Sequence, residues 1–217
     1  MSLKDLLHPK SEGATFVRDI ILILLVVAGI GIVLFGVSGT WPALVAVESG
    51  SMEPNLPTYS LAFVVDENRF GDWMTQEEAE AAGTHKVFNE YGDVIVYQPN
   101  GMKGVTPIIH RAITTVTKEE AQALGFTGDA AHSGVITKGD NEITNPYPDQ
   151  FGSFPSYGIS RMEPVKEEWI VGKAVFAIPL IGWVPLHIIE SILIAAAVII
   201  CIEIVSRIVS KRKSRKR

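Results

Sequence analysis

The sequence predicts a small, mainly β domain with short helical insertions, flanked by an N-terminal and a C-terminal transmembrane helix. Three observations predict it. Residues 20–37, IILILLVVAGIGIVLFGV, carry no charge, and these eighteen residues would rise about 27 Å as a helix, close to the ~30 Å hydrocarbon core of a bilayer. A second run, 184–206, VPLHIIESILIAAAVIICIEIVS, is unbroken in its apolar centre, Ile192–Ile202, and keeps Glu190 and Glu203 toward its ends, where an interface tolerates charge. The stretch between the runs consists of short β-branched segments punctuated by turn residues.

The chain divides accordingly into a cytoplasmic segment (1–19), a span (20–38), an extracytoplasmic domain (39–183), a second span (184–206) and a basic tail (207–217). Lys4, Lys10 and Arg18 precede the first span, and Arg207 and KRKSRKR follow the second. Positive residues flank the cytoplasmic ends of spans, so both termini read as inside the cell membrane and the middle as outside. The tail suits the anionic lipid surface beside a span. Residues 20–37 exceed the 7–15 apolar residues usual in a cleaved leader, and no A-x-A site follows promptly. Residues 41–177 hold 9 basic and 19 acidic residues, against 10 and 5 in the remainder, so the exterior part is acidic and a poor binder of nucleic acid. The single cysteine, Cys201, falls in the second span, which excludes an intrachain disulfide and a cysteine metal cluster.

Along the exterior part, strands are expected at 44–48, 61–65, 94–98, 108–116, 135–138 and 170–176. YGD at 91–93 and KGDN at 138–141 mark strand ends or turns. Two short helices are expected where Thr75-Gln-Glu-Glu78 and Thr117-Lys-Glu-Glu120 form capping boxes ahead of alanines. The segment 144–160, TNPYPDQFGSFPSYGIS, reads as a long ordered loop, of the kind that often carries function.

Chemistry is suggested by four places. VESGSMEPNLP begins ten residues after Val37 and sets Ser51 between Gly50 and Met52. A serine hydroxyl is a weak nucleophile and needs a base within hydrogen-bond reach. His110 interrupts an otherwise apolar strand, TPIIHRAITTV; alternation puts it on one face with Ile108 and Ala112, and Arg111 on the other. Apolar neighbours disfavour the charged imidazole and leave a neutral base near pH 7. His85 and His132 lie in loops and have a weaker claim. Asp140, closing TKGDN, or Asp149, in PDQ, is placed to accept the imidazole N–H and fix its tautomer.

S49-G-S-M-E-P54, Y91-G-D-V-I-V-Y97, I109-H-R111 and T137-K-G-D-N141, in this order, resemble type I signal peptidases of the archaeal and endoplasmic-reticulum kind. The resemblance spans the exterior part. It implies that Ser51 is the acyl-forming nucleophile and His110 the general base, where the bacterial branch has lysine. Asp140 and a following aspartate, here Asp149, would be the acidic partners. Ser49 matches the oxyanion-hole serine of the bacterial relatives and would act with the Ser51 amide. Two departures stand out: Tyr59-Ser60 replace the usual Gly-Asp, and the position six after Asp140 is Pro146, so that Asp149 aligns only across a three-residue insertion.

The resemblance thus implies a membrane-bound serine endopeptidase that cuts signal peptides from preproteins, needs no cofactor or metal, and works beside the export translocon. Its rivals are a Ser–Lys peptidase and a catalytically silent scaffold of the same fold that binds preproteins or translocon partners. If His110 is the base, kcat/KM falls as pH drops through its titration, near 6.5 for an ordinary imidazole.

Overall fold

A computed structural model describes residues 12–214 of the chain, and it begins with a helix, α1, over Glu12–Ser38. Strand β1 (Leu44–Ala46) leads to a 3-10 turn at Gly50–Met52 and then to β2 (Leu61–Val65). Helix α2 (Gln76–Ala82) is followed by a small antiparallel pair, β3 (Lys86–Val87) and β4 (Glu90–Tyr91). Next come β5 (Val94–Tyr97), β6 (Ile108–Val116), α3 (Lys118–Ala123) and β7 (Gly134–Lys138). A long loop holding a 3-10 turn at Asp149–Phe151 leads to β8 (Ile170–Ile178). The chain ends with a short helical turn, α4 (Trp183–Leu186), and α5 (Ile188–Ser214).

Six strands form one antiparallel sheet in the order β1-β2-β8-β5-β6-β7. Alternation explains its two-sided core. On one face Ile95, Tyr97, Ile108 and Ala112 pack with Val135, Met162 and Val165. On the other, Val94 and Ala174 pack with Val47, Met52, Leu56 and Ala62. Strand β5 is therefore buried at all four positions, as a central strand covered on both faces must be. Both capping boxes are present. Thr75 Oγ1 accepts from the Glu78 amide at 3.3 Å while the Glu78 carboxylate accepts from the Thr75 amide at 2.8 Å, and Thr117 and Glu120 repeat the exchange.

Both terminal helices are long and apolar enough to cross a membrane, over Gly13–Ser38 and Ile188–Ser206, and the most apolar eighteen-residue stretch of each has no residue buried against protein. The second begins four residues later than expected. His187 leaves helical geometry, with φ −124° and ψ 57°, so Trp183–Leu186 is a separate turn beneath the span. The first helix starts earlier than residue 20, because Gly13–Asp19 continue it. The flanking charges Lys4 and Lys10, and the side chains of the basic tail, lie outside the described residues. Of the expected strands, β6 has the bounds read from the sequence, and β1 is two residues shorter, although Val47 still exchanges backbone hydrogen bonds with Tyr59 and Ser60. The pair β3–β4 has no counterpart in the sequence reading.

Candidate active site

Ser51 sits at the middle of the Gly50–Met52 turn. Met52 anchors the turn in the core and is fully buried. The KGDN loop after β7 grips it from the other side. The Asn141 amide donates to the Ser51 carbonyl at 2.9 Å, and Asn141 Nδ2 donates to the Gly50 carbonyl at 2.8 Å. Gly139 is there because nothing larger fits: a Cβ at that position would lie 2.5 Å from the Ser51 carbonyl oxygen. The Glu53 carboxylate closes the turn by accepting from Thr58 Oγ1 at 2.7 Å, and this bond, with one from the Thr58 amide, holds its carboxyl below the usual range. Ser49 Oγ donates to Ser51 Oγ at 3.2 Å. The two hydroxyls and the first-turn amide of Ser51 therefore share one small region.

His110 is buried, on the face of β6 that the alternation indicated. Its Nδ1 lies 2.7 Å from Asp149 Oδ2. A carboxylate oxygen only accepts, so Nδ1 carries the proton, and in the neutral ring Nε2 has the free lone pair. Asp149 itself is buried in the 3-10 turn Asp149–Phe151. The same Oδ2 accepts from Tyr97 Oη at 2.8 Å and from Thr137 Oγ1 at 2.7 Å. Burial, and then the Asp149 charge, push the Tyr97 phenol well above its ordinary value, so it stays a donor.

Asp140 does not meet His110. Residues 110 and 111 point to opposite faces of β6, and Asp140 lies on the side of Arg111. There Arg111 Nε donates to Asp140 Oδ1 at 2.8 Å and Nη2 to Oδ2 at 2.6 Å, a bidentate pair, and Asn55 Nδ2 adds a third donor at 3.0 Å. Arg111 Nη1 is held by the carbonyl of Gly92 at 2.8 Å and by those of Val87 and Tyr91. Of the two aspartates, the imidazole partner is Asp149, and Asp140 braces the loop that holds the serine turn. His85 pairs with Asp93 at 2.7 Å, and His132 with Glu163 at 3.1 Å, both away from Ser51.

Ser49, Ser51 and His110 line one cleft of about 250 Å³. One wall is the end of β1, Val45–Glu48, and the other is Thr106–Ile109, which enters β6. Phe154, Tyr157 and Asn145 from the long loop complete it. Among the described residues strand β1 pairs with β2 alone, so the edge of the sheet is open beside this cleft. Burial, with a smaller contribution from the Glu48 carboxylate, raises the Tyr157 phenol pKa. Among the described residues no hydrogen bond joins Ser51 to His110, no lysine lines the cleft, and no three His, Cys, Asp or Glu side chains gather as metal ligands.

Of the residues the sequence singled out, Ser49, Ser51 and His110 thus line one cleft and Asp149 bonds His110, while Asp140 stands apart on Arg111. Sequence reasoning missed Tyr97, Thr137, Gly139, Asn141 and the bracing role of Arg111. The signal for Tyr97 and Thr137 was present in the alternation. Both are polar residues at inward positions of strands, where a hydroxyl needs a partner. The sequence matches no family model, and no curated protein matches it.

Proposed function

We propose that the chain is a membrane-bound serine endopeptidase that removes N-terminal signal peptides from exported preproteins. One observation carries the reading: a buried His110–Asp149 pair opens onto the same cleft as Ser51. Ser51 Oγ attacks the carbonyl before the cut while His110 Nε2 takes its proton. The Ser51 amide and the Ser49 hydroxyl donate to the oxyanion, each such donor being worth a factor of ~10²–10³. The imidazolium then protonates the leaving amine, and water, activated by the same nitrogen, releases the acyl group. Asp149 holds the ring and balances its charge. Asp140 has no part in the proton path.

The substrate lies extended along the open edge of β1, where backbone pairing gives affinity and alternate side chains enter the cleft. Small side chains at −1 and −3 fit that arrangement and the A-x-A pattern of cleavage sites. Two spans with both termini cytoplasmic put the cleft outside the cell membrane, beside lipid and the export translocon. A lysine base is disfavoured by the absence of lysine from the cleft: Lys138 Nζ is held by Glu142 at 2.7 Å, and Lys173 Nζ by the Gly71 carbonyl at 2.6 Å.

One observation favours a second reading, a silent scaffold that binds preproteins: the Ser51 hydroxyl is bonded to Ser49 and not to His110. Catalytic hydrogen bonds often tighten only with substrate, which keeps the peptidase reading ahead. The test is cleavage of a labelled preprotein with Ala at −1 and −3 by the protein in liposomes, beside Ser51→Ala, with the new N-terminus read by mass spectrometry. Cutting after the −1 alanine by the parent alone supports the peptidase. Binding without cutting by both, in folded samples, supports the scaffold.

A further inference from the structure

Three donors converge on a single carboxylate oxygen. Asp149 Oδ2 lies 2.7 Å from His110 Nδ1, 2.8 Å from Tyr97 Oη and 2.7 Å from Thr137 Oγ1. The protons can be assigned. Each hydroxyl has one, and Thr137 Oγ1 also lies 3.1 Å from Tyr97 Oη and 3.3 Å from the Gln150 amide nitrogen. All groups are satisfied when Tyr97 and Thr137 both donate to Asp149 and Gln150 donates to Thr137. Gln150 Oε1 in turn accepts from the Thr137 amide at 3.0 Å, which fixes the threonine in β7. Tyr97, Thr137, Asp149 and Gln150 are all buried.

We infer that Tyr97 and Thr137 are positioning residues that hold Asp149 for His110 and temper its pull on the imidazolium. The inference rests on the reading of His110 as the proton acceptor. Two hydroxyls draw electron density from the oxygen that also accepts the imidazole N–H. If one is removed, the remaining carboxylate is a stronger partner for the charged ring, and His110 holds its proton to higher pH. If both are removed, the carboxylate is also free to rotate, and the Nδ1–H tautomer loses its hold. Lining residues alone would not do this. Neither hydroxyl reaches the cleft, so each acts only through Asp149.

The other groups near the ring are few. Glu48 and Tyr157 line the cleft with it. Lys173 shares its row across Ile95, with Nζ turned to the Gly71 carbonyl. Arg111 and Asp140 neutralise one another on the opposite face. None of them contacts Asp149 Oδ2.

The test reads His110 directly, by nitrogen NMR of the full chain in detergent micelles in a Ser51→Ala background, with the signal assigned by its loss in His110→Gln. Tyr97→Phe and Thr137→Val keep shape and remove one hydroxyl each, and Thr137→Ser restores it. The expected result is a His110 midpoint higher in Tyr97→Phe and in Thr137→Val than in the parent background. Thr137→Ser returns to the parent value, and the double variant gains the Nε2–H tautomer. A midpoint and tautomer unchanged in both single variants, in samples that melt cooperatively, would overturn the inference and leave the two hydroxyls as packing groups. A lowered midpoint would overturn it as well. Preprotein cleavage by the same variants with Ser51 intact separates the two questions. No cutting by the parent removes the peptidase reading, whereas the NMR midpoint still decides the role of the hydroxyls.

Discussion

Arg111 shows how much of the candidate site depends on single residues that do not line the Ser51 cleft. It is buried, and its guanidinium ties Asp140 to the carbonyls at the foot of β4. Arg111→Met leaves the Asp140 charge buried and unpaired, which costs about 3–5 kcal/mol. Adding Asp140→Leu should recover part of that loss in chemical denaturation, and a double variant no better than the single would sink the account. Gly139→Ala presses a methyl group against the Ser51 carbonyl. The expected outcome is a loss of about 1–3 kcal/mol in stability and a fall in preprotein cleavage of roughly 10²-fold, the cost of a 1 Å misplacement. Cleavage at the parent rate would show that the turn tolerates the shift. Tyr97 gives a pH prediction. Its pKa is raised above the unfolded value of about 10, so the folded chain keeps a proton that the unfolded chain loses. Its contribution is complete below pH ~10 and is lost as pH rises further. Melting temperature should therefore fall more steeply above pH 10 in the parent than in Tyr97→Phe, and equal slopes would contradict the burial argument. At this scale the sequence was partly legible. His110 could be found because a lone polar residue on an apolar strand face is conspicuous. Asp149 stood only as one of two candidates, because a loop has no period from which direction can be read. The choice between them depended on which face of β6 each loop crosses.

Elements were the most legible level. All six strands of the main sheet stand where β-branched runs and turn residues put them, since a strand covered on one or both faces must advertise its apolar side. The pair β3–β4 escaped because each strand has two residues, too short for any period. The two capping boxes were read in full, since the whole signal lies within four residues. They also give a control. Thr75 is buried, and its hydroxyl holds the Glu78 amide. Thr75→Ala should cost about 1 kcal/mol in denaturant unfolding, with preprotein cleavage within a factor of two of the parent once folded. A large loss of activity with little loss of stability would place α2 in the substrate path.

At the scale of the whole molecule the order of strands was not legible. Strand β8, nearest the C-terminus, enters between β2 and β5, and nothing local to any of the three encodes that pairing. The consequence is geometric. The end of α1 meets the Val65 end of β2: Ser38 accepts from the Asp66 amide at 2.8 Å, and Leu34 packs on Phe63 and Val65. The base of α5 meets the other end, where the His187 ring lies 5.8 Å from that of Tyr59 and Gly182 backs onto the Ser60 carbonyl. The roots of the two helices are thus joined by a five-residue strand, about 16 Å long. With both helices in one bilayer, β2 lies close to the membrane surface. Trp41, at 67% exposure, and Leu180, at 73%, then fall at the depth where apolar and aromatic side chains favour the interface. On that placement the open edge of β1, next to β2, lies near the lipid, where under the proposed function an extended preprotein segment leaving the bilayer would pass first. This layout depends on the sidedness of the sheet domain, which is directly measurable. In a Cys201→Ser background, Ser156→Cys on the exposed loop should react with a membrane-impermeant maleimide added to intact cells expressing the chain. Ser2→Cys should react only after permeabilisation. Reversed labelling would put the cleft in the cytoplasm and end the proposed role in export.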